Sequence, residues 1–464
     1  MSLPELPAEL QLLITGFLED PDPVPSVIPR IPVITWSQFL PNHDLINLSS
    51  CCKVLRDLIA PIIFREVRLR NNSKSGDSVQ AVSNSVWATH VRTLHFECVA
   101  RPEFDCEDDL RPPPDNRLYP FVDDVLANLS RFPLLKTLTI QFMFGESAFW
   151  DHDTFKKLIF QSEEGHLNGD DDPEIEKQIP FRALMMRVYD IVTNSNHATL
   201  TSLELRNFTS YGIYSWRTGS WRRFLGSLKD VSIYLHTSQN EAGWSLSRSE
   251  DYFQFVANME PMFRQMNNVT HLRFVAADSG PLGLSGQFHG PLPLSLDHIP
   301  FLESLELEFC FINEDLAIFI VNRSNTLKRV HLKHCFSAIN CVLANKRITW
   351  AKFFDTIAEG MQSVENVTLE EFLISPSDPI FDMRSEWEDF RGGIPIAGAE
   401  DSIVEWVERN MKRDKHRRLF AHADLDDELG AVYEDAEENT HAYCYGLDQR
   451  AFDRVIAMLQ RNVS

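Results

Sequence analysis

The residues best suited to covalent or metal chemistry are not spaced for it. Gly283-Leu284-Ser285-Gly286 sets a serine among glycines, but without the Gly-x-Ser-x-Gly spacing that lifts a nucleophile onto a strained turn. The glycines at 280, 283, 286 and 290 match neither a phosphate-cradling loop nor a dinucleotide fingerprint. They suit left-handed turns in a loop, since glycine lacks the Cβ that penalises positive φ. His331-x-x-His334-Cys335 offers imidazole and thiol, yet no second ligand group stands at zinc spacing. The basic run Lys412, Arg413, Lys415, Arg417 and Arg418 reads as a nuclear-import patch or as a solvated helix face balanced by the acids after it. The expectation is a chain with no catalytic residue, metal or cofactor, whose work is binding.

Binding chemistry needs an element to present it, and one element recurs. The pattern apolar-x-x-apolar-x-apolar appears at Val91, Leu94 and Phe96; Leu135, Leu138 and Ile140; Leu200, Leu203 and Leu205; and Leu228, Val231 and Ile233. It returns at Val269, Leu272 and Phe274; Leu302, Leu305 and Leu307; Leu327, Val330 and Leu332; and Val364, Val367 and Leu369. Successive side chains of a strand point to opposite faces, so each copy predicts a strand with one buried face. Helix-period apolar residues precede several copies: Phe121, Val122, Val125, Leu126 and Leu129, then Leu184, Met185, Val188, Tyr189 and Val192. Trp350, Phe353, Phe354 and Ile357 precede the last, with Gly360 as the expected stop. A helix–strand unit cannot bury its own apolar face and must stack on its neighbours.

Leu302-x-x-Leu305-x-Leu307-x-x-Cys310-x-Ile312 resembles a leucine-rich repeat. Leu327-x-x-Val330-x-Leu332-x-x-Cys335 resembles one too, and then departs at Ser337, where an apolar residue belongs. The resemblance implies an α/β fold: an irregular leucine-rich-repeat-like solenoid of helix–strand units over residues 85–375. Insertions stretch its period, notably the acidic loop around Asp171 and the glycine-rich stretch from 280 to 290. An ordinary α/β domain with similar strands is the other reading. Alternation places Ser304, Glu306 and Glu308 opposite Leu305 and Leu307, and places Arg329, His331 and Lys333 likewise on the next strand. Parallel strands lie about 4.8 Å apart, so acidic and basic rows run side by side. Glu306, Glu308, Arg329, His331 and Lys333 are therefore the candidate substrate-binding residues, with a plain surface charge ladder as the alternative.

The first seventy residues read differently. Leu6-Pro7-Ala8-Glu9-Leu10 opens a helix whose stripe is Leu10, Leu13, Ile14, Phe17 and Leu18. Asp44 is the expected N-cap of a second helix lined by Leu45, Leu48, Cys52, Leu55 and Ile59 and ended by Pro61. Phe64, Val67 and Leu69 then form a short extended exit. Leu6-Pro7-x-Glu9-Leu10-x-x-x-Ile14-x-x-x-Leu18 followed by Asp44-Leu45-x-x-Leu48-x-x-x-Cys52-Lys53-x-Leu55 resembles the F-box motif. Pro61-x-x-Phe64-Arg65-x-Val67-x-Leu69 is similar to the segment just after that motif in many fungal members. The resemblance covers residues 1–70. It implies a helical module that docks on the Skp-type adaptor of a cullin-based ubiquitin ligase through Leu6, Pro7, Leu10, Ile14, Leu18, Leu45, Leu48, Cys52 and Leu55. One departure is a proline-rich insert at 19–43, whose first part cannot be helical. A plain two-helix cap on the repeats is the alternative.

Bulk properties bound these readings. A chain of 464 residues exceeds one small core. A formal charge of −23 argues against a nucleic-acid partner, whose phosphates need cations. No basic start with an apolar stretch signals secretion, and no apolar run approaches a membrane span, so the expected location is cytoplasmic and/or nuclear. The eight cysteines read as reduced, mostly buried thiols. Residues 376–464 read as a helical, acidic cap or tail: a capping box at Ser402 and Glu405, an acidic stretch from 424 to 438, and a closing helix on Phe452, Val455, Ile456 and Leu459. The expected function is a non-catalytic, SCF-type substrate-recognition subunit with the adaptor and cullin on one side and a protein substrate on the repeats. A leucine-rich-repeat-like interaction scaffold without any ligase is the alternative.

Overall fold

A computed structural model describes residues 43–99, 117–143, 176–236 apart from 198 and 210–212, 259–276, 282–286, 290–338, 344–345, 348–375, 413, 417–425 and 432–463. Leu6, Pro7, Leu10, Ile14 and Leu18, the insert before residue 43, the acidic loop around Asp171 and the capping box at Ser402 lie outside the described residues. The chain divides into two compact units, Met1–Gly145 with Asn168–Asn207 and Ile213–Trp221, and Glu146–Leu167 with Phe208–Gly212 and Arg222–Ser464. The architecture is α/β, with parallel strands joined through helices.

The first unit opens on a helix pair, α1 (His43–Cys51) and α2 (Lys53–Ile63). One continuous helix was the expectation; the break falls at Cys52, whose φ of −160° and ψ of 165° are extended. Asp44 lies in the first turn of α1 and not before it, where its charge still complements the helix dipole. Pro61 does not end α2, which runs on to Ile63. So near the helix end a proline removes one interior hydrogen bond, and Phe64 N–H still closes the turn on Ala60 O at 2.9 Å. Leu45, Leu55 and Ile59 form a small core of this pair, with Leu48, Cys52, Ile62 and Ile63 partly buried around it. Phe64 stacks on Trp87 with ring centroids 5.6 Å apart.

A repeated step comes next: β1 (Glu66–Arg70), α3 (Ser73–Ser83), β2 (Thr93–Val99), α4 (Pro120–Ala127), β3 (Thr137–Met143), α5 (Pro180–Asn194) and β4 (Ser202–Thr209). Strands β1 to β4 pair in parallel in that order. Each join repeats one device, in which two successive N–H groups share a single carbonyl. Arg92 and Thr93 donate to Arg65 O, Lys136 and Thr137 to Arg92 O, and Thr201 and Ser202 to Lys136 O. The alternation places Leu94, Phe96, Leu138, Ile140, Leu203 and Leu205 in the core, as expected. The helix stripes join them, except that Phe121 is exposed. Tyr189 of α5 sits at the centre of a ring cluster with Phe142, Trp216 and Trp221.

After α6 (Gly219–Ser227), the second unit repeats the step through β5 (Asp230–His236), β6 (His271–Val275), β7 (Ser304–Glu308), α7 (Glu314–Arg323), β8 (Arg329–Lys333), α8 (Trp350–Met361) and β9 (Glu371–Ser375). These five strands are parallel and in sequence order. The last copy corrects the expected register. Its inward residues are Leu369, Phe372 and Ile374, while Val364 and Val367 remain half-exposed. Both hexapeptides satisfy the pattern; the later one wins because Glu370 and Glu371 can donate to Lys328 O, as Lys328 and Arg329 donate to Glu303 O. Gly360 is no stop either. A Cβ there would lie 2.7 Å from both γ-carbons of Val321, so its hydrogen permits close contact between α7 and α8.

The described C-terminal residues pack on this last step. A hairpin of β10 (Ala423–Leu425) and β11 (Val432–Glu434) precedes α9 (Ala436–Tyr445) and α10 (Leu447–Val463). Phe452 of α10 sets its ring 5.2 Å from Phe354 and 5.6 Å from Phe420. His422 Nε2 lies 3.0 Å from Asp448 Oδ2, and Asp448 Oδ1 accepts Ala351 N–H at 2.8 Å, tying the hairpin and α10 to the start of α8. Among the described residues no helix is long and apolar enough to cross a membrane.

Candidate functional site

The solvent-side faces of β6 to β9 carry the charged rows anticipated from alternation. The register aligns Arg273 with Glu306 and His331, and Glu308 with Lys333 and Ser375. Ser304, Arg329 and Glu371 share the first row. Four of the five anticipated residues retain exposed surface, and Arg329 has the most, its side chain being 61% exposed.

Glu308 departs from the expectation. It points to the same side as Glu306 but has no exposed surface. Arg273 Nη2 at 3.1 Å and Lys333 Nζ at 3.0 Å close over its carboxylate. A buried charge is tolerated only when paired, so these cations are its condition for being there. Arg273 also reaches Glu306 Oε1 at 3.1 Å and lies over the Tyr234 ring, 5.2 Å from its centroid. Burial works against the Arg273 charge, but Tyr234, Glu306 and Glu308 outweigh it and hold its pKa above the ordinary value. Arg329 pairs with Glu371 at 2.5 Å. His331 shares a hydrogen bond with Ser375 Oγ at 2.7 Å, and burial depresses its pKa even though Glu306 lies nearby.

Sequence reasoning missed Arg273, Tyr234, Glu371 and Ser375. Arg273 had a signal, since it stands between Leu272 and Phe274 as Glu306 stands between Leu305 and Leu307. Phe309 and His334 form a second unanticipated feature. Each comes directly after its strand with positive φ, 56° and 49°, and their rings stack at 5.2 Å. Asn207 holds the same motif position with φ of 49°, so the left-handed turn belongs to the repeat.

The first unit builds a parallel case. Glu97, also after the third apolar residue, is buried beneath Arg68 at 2.5 Å and Arg70 at 3.5 Å. Arg206 reaches Glu204 at 2.7 Å, and Thr139 Oγ1 donates to the same carboxylate at 3.1 Å. Both faces neutralise themselves. They can exchange ion pairs with a partner.

Metal chemistry finds no geometry: among the described residues no three His, Cys, Asp or Glu side chains converge. Burial pushes the Cys335 thiol up to about 12, away from the thiolate that a metal requires. Of the expected adaptor-contacting residues, Leu45 and Leu55 are buried inside the α1–α2 core, while Leu48 and Cys52 are partly buried. The exposed large apolar side chains of the pair are Ile46 and Val54, neither of which the motif had singled out. No protein-family model matches the chain, and no curated protein matches its sequence.

Proposed function

We propose that the chain is a non-catalytic substrate-recognition subunit of a cullin-based ubiquitin ligase, with an F-box-like helical module and a leucine-rich-repeat-like solenoid. The observation that carries the reading is the helix pair α1–α2, which closes a core of its own on Leu45, Leu55 and Ile59 and still leaves Ile46 and Val54 in solvent. On this reading Ile46 and Val54, with Leu48 and Cys52, contact the Skp-type adaptor, and Leu45 and Leu55 position the helices. The repeated parallel strands support a solenoid body, and their charged outward faces support a protein partner there. Ligation chemistry would lie on other subunits, and this chain would contribute proximity.

The test is capture of a Skp-type adaptor by the full chain. Ile46→Ser with Val54→Ser should weaken capture at least about tenfold, since each exposed apolar side chain contributes roughly 1.5 kcal/mol or more when buried at an interface. Leu6→Ala with Pro7→Ala should do the same. Unaltered capture by both variants rejects the adaptor assignment. Substrate capture is read separately by mass spectrometry of co-purified proteins with Arg329→Glu, whose exposed position spares the fold. If every partner is retained, substrate binds elsewhere. Partners captured without any adaptor would identify an interaction scaffold.

A further inference from the structure

The rim on which the first unit's strands begin carries cations that, unlike those on its strand face, make no ion pair among the described residues. Arg65, Arg92 and Lys136 immediately precede β1, β2 and β3, and the pairing of Glu66 with Thr93 and of Thr93 with Thr137 sets them in line, one per strand. Their carbonyls receive the paired N–H groups of the joins, which fixes the backbone beneath each side chain. Arg65 and Lys136 are exposed, and Arg92 is half-buried with Nη1 donating to Thr89 O at 3.0 Å. Arg68, Arg70 and Arg206 on the neighbouring face all meet carboxylates. Among the described residues, no ion pair engages any of the three rim cations. The closest acid in the sequence is Glu66, whose pKa is lowered first by its hydrogen bond to His95, with Arg65 a lesser cause. The segments that lead into the same rim expose two large apolar side chains: Val86, 74% exposed, at the start of the 3-10 helix Val86–His90 before β2, and Leu134, 43% exposed, in the turn before β3.

We propose that this rim docks an acidic amphipathic helix of a partner protein. Parallel strands are spaced by about 4.8 Å, so the three cations recur at that interval. Carboxylates three or four residues apart on a helix lie about 5–6 Å apart and match consecutive strands. An extended peptide repeats a side only every two residues, roughly 6.8 Å, and falls out of step. Val86 and Leu134 meet the apolar flank that such a helix carries beside its acids. The row ends at β4, where Thr201 holds the equivalent position, so a short helix suffices. A polynucleotide fits less well, because it would run on past the rim over a chain whose formal charge is −23. The rim shares no residue with the adaptor surface or the β6–β9 face.

The probe is a labelled helical peptide of about 15 residues with glutamates at i, i+4, i+7 and i+11 and leucines along one flank, followed by fluorescence anisotropy with the full chain. Its Glu→Gln counterpart and a single-stranded oligonucleotide of similar charge serve as comparators. The acidic peptide should bind with an affinity that falls as salt rises, and the Glu→Gln peptide at least about tenfold more weakly. Arg65→Gln, Arg92→Gln and Lys136→Gln together should lose about tenfold or more while the melting temperature holds. Leu134→Ser should lose severalfold with the salt dependence intact. No binding by the unaltered chain, equal binding by the triple variant, or tighter rim-dependent binding of the oligonucleotide would each overturn the proposal.

Discussion

Glu308 decides what a substitution on its face means. Lys333→Glu would set a second carboxylate against one with no route to solvent. The expected loss is on the order of 3 kcal/mol, read from the urea midpoint. Arg329→Glu opposes an exposed partner and should change stability by no more than about 1 kcal/mol. Equal losses would show that Lys333 does not hold the buried charge. His331 adds a pH dependence of definite sign. Its folded pKa is depressed from the ordinary 6.5, first by burial, so the unfolded chain takes up the proton first as pH falls. Its contribution is complete above 6.5 and is lost as pH falls through that value toward the folded pKa. His197 is shifted in the same direction, also by burial, so it adds to the same slope. His331→Asn should flatten the decline in stability as pH falls below 6.5. An unchanged slope would assign the decline to other groups.

Between elements, closeness matters as much as apolarity. At an ordinary helix position Gly→Ala gains about 1 kcal/mol of propensity. At Gly360 the added methyl meets Val321 at 2.7 Å, so Gly360→Ala should instead destabilise. The overpacking penalty of about 1–3 kcal/mol outweighs that gain. In a Val321→Ala background the penalty should vanish and the propensity gain return, which a double-mutant cycle measures directly. Additive effects would mean that α7 and α8 shift apart freely. The joins between strands make the complementary point. Within each unit the one-carbonyl, two-donor device recurs where a strand arrives beside its predecessor, from Arg65 in the first to Lys328 in the second. It selects the residues 371 to 375 as the final strand over an equally apolar segment five residues earlier.

At the scale of the molecule, each unit buries its core by laying strand beside strand and helix beside helix, and such a stack needs something to cover its last member. In the second unit the described C-terminal residues do this for β9 and α8. Arg418 Nη1 donates to Ile374 O at 3.1 Å, and Phe354, Phe372, Phe420 and Phe452 share one ring cluster. Phe452→Ala should cost about 3–5 kcal/mol. Deleting residues 447–464 should expose the remaining rings, raising binding of a hydrophobic dye and lowering the melting temperature. If the truncated chain melts as before without dye binding, the helix is dispensable to the core.

Seven of the eight strands anticipated from the repeated pattern, the helix stripes and the closing helix are legible in the sequence by itself, because a repeat of two or of 3.6 residues is written locally by which side chains must leave water. The same alternation places Glu306, Arg329, His331 and Lys333 on one face and in one neighbourhood. Tertiary structure decided the rest. Whether Val364 or Leu369 begins the last copy depends on a carbonyl at Lys328, some forty residues away. Whether Gly360 ends a helix or admits a neighbour depends on Val321. The break at Cys52 lets α1 fold back so that Leu45 meets Leu55 and Ile59. Glu308 is buried because Arg273 and Lys333, on the strands either side, converge on it. Periodicity reports the faces of one element; register, approach and charge pairing are properties of two, and they exist only once the strands have been laid side by side.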